Sequence, residues 1–126
     1  MKKILTIIIM LCVVVTLSGC GKTTNQKLNI TVKVYDADEK MVYEKKHETN
    51  KKILLDALEE LSDLKIVTEN SDYGKFIVSI YGINQESDYF WNYYINDDYA
   101  MTGVSSYKIK DDDVISFRFE MLEWNE

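Results

Sequence analysis

Cysteine is nearly missing from this sequence. The only two, Cys12 and Cys20, both fall within the first twenty of 126 residues. If that stretch is processed as argued below, no thiol remains for a disulfide, a zinc site or a nucleophile. Histidine occurs once, as His47, so a histidine-based triad or a conventional zinc site lacks its partners. It stands among lysines near the end of an expected strand and reads as a solvated surface residue. Proline is absent, so the turns must rest on Asn, Asp and Gly. Positive charge is also short. Of 15 Lys and Arg, Lys2 and Lys3 lie in the leader, which leaves 13 against 21 Asp and Glu, a net charge of −8. A surface this acidic is a poor match for nucleic-acid phosphates, and anionic lipid repels it. No nucleophile or general base stands out, and nothing favours a particular carboxylate pair for hydrolysis. The expectation is therefore a chain that is not an enzyme.

What is present begins at the N-terminus. Met1-Lys2-Lys3 is a positive start, and Ile4 to Leu17 is apolar apart from Thr6 and Thr16. That run is short for a membrane span, which needs about 20 residues, and suits the apolar region of a signal peptide. It ends in Leu17-Ser18-Gly19-Cys20. Small residues before the cut fit a peptidase cleft, and the thiol of Cys20 can take a diacylglyceryl group. The four residues closely resemble the bacterial lipobox. The organisation expected is a signal peptide over 1–19, a lipidated Cys20 with a flexible polar tether over 20–27, and one domain over 28–126. The domain would sit outside the cytoplasm, anchored to the cell membrane through lipid on Cys20, with neither a cofactor nor a metal.

Within the domain, Leu28, Ile30, Val32 and Val34 alternate with polar residues, the period of a half-buried strand. Asp36 to Lys40 is a polar turn, and Met41 to Glu48 completes a hairpin. Thr49-Asn50 offers a helix N-cap. Ile53, Leu54, Ala57, Leu58 and Leu61 form one apolar face, predicting a helix over 51–62. Further strands are expected at 64–67, 76–81, 90–95, 107–110 and 114–121, with turns at Asn96-Asp97 and Asp111-Asp112-Asp113. Neither acidic turn has the alternating carboxylates of a calcium loop, and both read as hairpin turns. A hairpin, one helix and then several strands predict an α+β, β-grasp-like fold with the helix packed on one face of a mixed sheet.

The aromatic load is high, with nine Tyr, four Phe and two Trp, and it concentrates in Tyr89-Phe90-Trp91-Asn92-Tyr93-Tyr94-Ile95. Successive strand residues face opposite ways, so Trp91, Tyr93 and Ile95 share one face and Phe90, Asn92 and Tyr94 the other. One face must be core. The other is either covered by residues 97–106 or left open as a binding surface. The ligand-binding residues predicted are Trp91, Asn92, Tyr93, Tyr99 and Tyr107. If Trp91 proves to be core, the patch moves to Phe90, Asn92 and Tyr94.

Phe90-Trp91-Asn92, Gly103, Tyr107 and Lys110-Asp111-Asp112-Asp113 together resemble the C-terminal β-domain of transcobalamin and intrinsic factor, the cobalamin carriers. They also resemble a family of bacterial lipoproteins and surface modules named after that domain. The pattern spans about 35 residues, counted along the sequence; before it, only the order of hairpin and helix agrees. Many relatives carry Gly where Asp112 stands. The carriers clamp cobalamin between this domain and a large helical one that is not seen in this chain, so the resemblance implies half of a site. What it implies is a binding module for cobalamin, another corrinoid or another small amphipathic ligand, delivered to a membrane transporter. The alternative is a protein-interaction domain of a cell-surface lipoprotein with no small-molecule ligand.

Overall fold

The computed structural model describes residues 26–121. The expected signal peptide and Cys20 lie outside the described residues. The first alternating segment forms β1 (Leu28–Tyr35), with Ile30, Val32 and Val34 all buried. The chain returns antiparallel as β2 (Met41–Thr49). Asp36 closes the intervening turn. Its Oδ1 accepts the N–H groups of Asp38 and Lys40 at 2.9 and 3.0 Å, which is how a short polar side chain mimics a backbone turn.

The helix forms but is shorter than its sequence suggests: α1 is Leu54–Glu59, not 51–62. Leu54, Leu55, Ala57 and Leu58 are buried, as is Leu61 beyond its end. Thr49-Asn50 is not the cap. Ile53 holds that position without a side-chain bond. The free N–H groups of Leu54 and Leu55 instead donate to the carbonyls of Tyr107 and Val104, at 2.9 and 3.0 Å. A distant loop thus satisfies the helix start that a local side chain usually would. Thr49 accepts the Lys51 N–H at 3.0 Å and donates its hydroxyl to Glu60. His47 is not simply solvated either: its side chain is 18% exposed and lies 3.2 Å from Glu60 Oε1. The Thr49 bond, opposed by burial and aided by His47, holds the Glu60 carboxyl below its ordinary value.

Where a strand was expected at 64–67 there is a 3-10 turn, Ser62–Leu64, followed by Lys65 at φ 52°. Leu61 and Leu64, three apart, both reach the core this way. The strand begins later, as β3 (Val67–Ser71), and pairs with β4 (Gly74–Ile80), which pairs with β5 (Ile83–Asn84). These three make a separate antiparallel sheet, so the single mixed sheet expected is corrected to two sheets. Gly74 is required by approach as well as by its φ of 107°, since a Cβ there would come within 2.6 Å of Ser105 Oγ. That same oxygen accepts the Lys75 N–H at 3.1 Å and ties the hairpin to the loop.

The remaining strands are β6 (Tyr89–Ile95), β7 (Asp98–Tyr99) and β8 (Asp113–Met121). Asn96 and Asp97, at φ 51° and 72°, form the two-residue left-handed turn that Asn-Asp suits. Residues 107–110 make only an isolated bridge, Lys108 to Ile53. The larger sheet runs β2-β1-β8-β6-β7, and β1 and β8 are its parallel pair. Register places Val32 beside Ile115 and Val34 beside Phe117. On the other side of β8, Ile115, Phe117 and Phe119 meet Ile95, Tyr93 and Trp91. This apolar face packs into one core with α1, Ile77, Ile80, Val104 and Ile109. The described fold is mostly β, with a single short helix. No helix of the described residues is long and apolar enough to cross a membrane.

Candidate functional site

The predicted ligand-binding residues divide between the two faces of the sheet. Trp91, Tyr93 and Tyr107 pack against the core. The Trp91 ring lies 4.9 Å from that of Phe119, and its Nε1–H donates to the Ile83 carbonyl at 3.0 Å. Tyr93 lies 5.9 Å from Phe117 and donates its hydroxyl to the Thr102 carbonyl. Residues 97–106 therefore fold toward the Trp91 and Tyr93 face. Asn92 lies on the opposite face, and its Nδ2 donates to Glu120 Oε2 at 3.0 Å. The structure does not bring the five together.

It does bring Tyr99 and Tyr107 together. Both line a cavity of about 310 Å3 at the end of the sheet where β6 turns into β7, along with Ile95, Asp98, Met101 and Lys110. The floor is built by a buried carboxylate. Asp113 is 3% exposed and accepts from Tyr107 OH at 2.8 Å, the Lys110 N–H at 2.9 Å and Asn96 Nδ2 at 3.1 Å. Asn96 Oδ1 in turn accepts the Val114 N–H at 2.8 Å. The one buried carboxylate is thus fully answered, and the cavity has a polar floor. Its mouth is different. Tyr99 is 56% and Met101 89% exposed, and large apolar groups held in water mark interaction surfaces. Burial raises the Tyr107 phenol well above its ordinary value, reinforced by the bond to Asp113. Burial likewise pushes Tyr93 up to about 12. Both are therefore neutral hydroxyls at physiological pH.

The outward face carries a second set of aromatics. Tyr99 meets Tyr94 edge-on at 5.6 Å. The guanidinium of Arg118 lies 4.4 Å from the Tyr94 ring and 5.6 Å from that of Tyr35. Tyr94 donates its hydroxyl to Glu120, with its oxygens at 2.9 and 3.0 Å. Its phenol is pushed up to about 12, by burial first and then by Glu120. None of these belongs to the core cluster. Met101, Lys110 and Arg118 were not among the residues predicted from sequence. For Arg118 a signal existed: on β8 it alternates with buried Ile115, Phe117 and Phe119, so it had to face outward.

Among the described residues, no three His, Cys, Asp or Glu side chains come together as a metal site would need. In the second acidic turn, Asp111 and Asp113 spend oxygens on the fold; Asp111 Oδ1 accepts the Asn29 N–H at 2.8 Å.

Residues 51–121 match the family described as Domain of unknown function (DUF4430). No curated protein matches the sequence. Among solved structures, the chain is similar to a candidate metal-binding protein from Ruminococcus gnavus ATCC 29149, with a TM-score of 0.70 and 19% identity over 76% of this chain and 99% of that one. It is also similar to haptocorrin in complex with Cbi, with a TM-score of 0.65 and 12% identity over 82% of this chain. The chain spans 27% of haptocorrin's length. At these identities both are likenesses of fold.

Proposed function

Since the chain belongs to the DUF4430 family, we propose that it is a non-enzymatic, lipid-anchored extracytoplasmic binding module for a corrinoid or another small amphipathic ligand, which it delivers to a membrane transporter. The fold is read here as β-grasp-like, with the helix on one face of the mixed sheet. The observation that carries the proposal is the tyrosine-rimmed cavity of about 310 Å3, polar at its floor, apolar and exposed at its mouth. Ligand sites are commonly concave, mostly apolar and fitted with a few fixed polar groups. Its volume is near the lower end of the usual range of about 300–1,000 Å3, so a corrinoid would seat one edge there and leave the rest for another surface. Haptocorrin, a fold relative solved with Cbi, is far longer than this chain, which agrees with half of a site.

Tyr99 and Met101 would cover the apolar part of the ligand, while Lys110 and Asp98 face its amides. Covering about 150 Å2 at about 25 cal/mol per Å2 contributes roughly 4 kcal/mol before the costs of association. Millimolar to micromolar binding follows. Calorimetric titration of the domain with cobalamin tests this. Saturable binding in that range is expected, weakened about tenfold by Tyr99→Ala with an unchanged melting temperature. No saturable binding, or a Tyr99→Ala protein that binds like the wild type, would sink the proposal.

A second reading, docking of a protein partner, has its own observation: Tyr73, Val67 and Phe76 on the β3–β4 hairpin are 95%, 52% and 40% exposed.

A further inference from the structure

A second cavity, of about 250 Å3, opens at the other end of the mixed sheet, where β1 stops and β8 runs on. Tyr35, Asp36, Glu39, Arg118, Phe119 and Glu120 line it. Arg118 is the chain's single arginine. Tyr94 and Tyr35 hold it by their ring faces, a contact that fixes a guanidinium without using its N–H donors. Among the described residues it makes no ion pair.

Three carboxylates share this cavity, yet they are not equally available. Glu120 already accepts from Asn92 and Tyr94. Asp36 already accepts the Asp38 and Lys40 N–H groups. Glu39 is exposed on the β1–β2 turn and, among the described residues, makes no ion pair. One cation and one carboxylate are thus left facing the same space, beside the ring of Tyr35. A simple anion would meet Arg118 but be repelled by the acidic wall. A simple cation would meet the carboxylates but leave the N–H donors of Arg118 unanswered. A molecule bearing both charges a few ångströms apart answers both groups. The volume is too small for a corrinoid, and it suits a small zwitterion.

We propose that this cavity binds a zwitterion of the α-amino-acid class, with its carboxylate on Arg118, its ammonium toward Glu39 and a small apolar side chain against Tyr35. The site is a different cavity from the tyrosine-rimmed one and shares no lining residue with it.

The test is NMR titration of the detergent-solubilised full chain with L-alanine, acetate and methylammonium, following Arg118 and Tyr94. L-Alanine is expected to give a saturable response in the millimolar range, with acetate and methylammonium each about tenfold weaker or worse. Arg118→Gln should abolish the L-alanine response. Glu39→Gln, on an exposed turn where folding is not at stake, should weaken it severalfold. Glu39→Gln should leave cobalamin binding unchanged, so loss of cobalamin binding and loss of amino-acid binding are read separately. The proposal fails if L-alanine gives no saturable response, if either single-charge probe matches it, or if Glu39→Gln binds like the wild type.

Discussion

Tyrosine does three jobs in this small protein, and its surroundings decide which. Tyr107 and Tyr94 each donate a hydroxyl to a carboxylate, Asp113 and Glu120. Tyr93 donates to a backbone carbonyl from the core face. Tyr99 stays largely in water at a cavity mouth. The first three resist ionisation, chiefly because burial disfavours the phenolate. A pH dependence follows. Below the ordinary tyrosine value of 10.0, these phenols are neutral in both folded and unfolded chains. Between 10.0 and about 12, the unfolded chain sheds protons that folded Tyr93 and Tyr94 keep. Stability should therefore be fully present below the lower value and fall as pH rises toward the upper one. Thermal melts across that window, read beside tyrosinate absorbance, check it. A flat melting temperature through the upper value would show these phenols to be less enclosed than described.

At the level of elements, the most legible strands were the two with a strict two-residue period. β1 and β8 stand where their alternation places them, β2 and β6 where their strand-forming and aromatic residues do, and the Asn96-Asp97 turn stands where its chemistry places it. β3 was not legible. Val-Thr-Glu-Asn-Ser offers one apolar residue, and its pairing comes from β4 rather than from its own pattern. The helix ends were misread because carbonyls of Val104 and Tyr107 satisfy its start, some fifty residues away in sequence. Half of the candidate site could be read: Tyr99 and Tyr107 flank one loop. The placing of Arg118 and Glu39 around one cavity was hidden, because it depends on the parallel register that sets Tyr35 beside Arg118, with eighty-odd residues between them. The two faces of β6 could not be told apart from sequence, since both carry large aromatics. The structure gives Trp91 to the core face. Trp91→Ala should therefore cost about 3 kcal/mol, through the lost Phe119 contact and an unanswered Ile83 carbonyl. Urea melts would measure it. A neutral result would return Trp91 to the candidates for ligand contact.

For the whole molecule, the question is what would hold an acidic domain at a membrane, as the proposed function requires. With 13 basic against 21 acidic residues beyond the leader, the chain has no electrostatic affinity for an anionic bilayer, and within a Debye length of about 10 Å it is pushed away. The proposed lipid on Cys20 must supply the attraction alone. Residues 20–27, between it and β1, can reach at most about 28 Å when fully extended. On the proposed reading, a tether of that reach would let the domain stand clear of the charged headgroup layer. Lipid burial at about 0.8 kcal/mol per CH2 outweighs the repulsion, and more than one acyl chain makes the attachment durable. Two outcomes follow. The wild type should stay with the membrane fraction through a high-salt wash, because salt weakens charge and not acyl insertion. Cys20→Ala should lack the acyl mass and accumulate as precursor or as unlipidated protein. Intact-mass spectrometry of the wild type decides between the readings: a mature chain beginning at Cys20 without added lipid would overturn the anchor, and with it the delivery step that the proposed function needs.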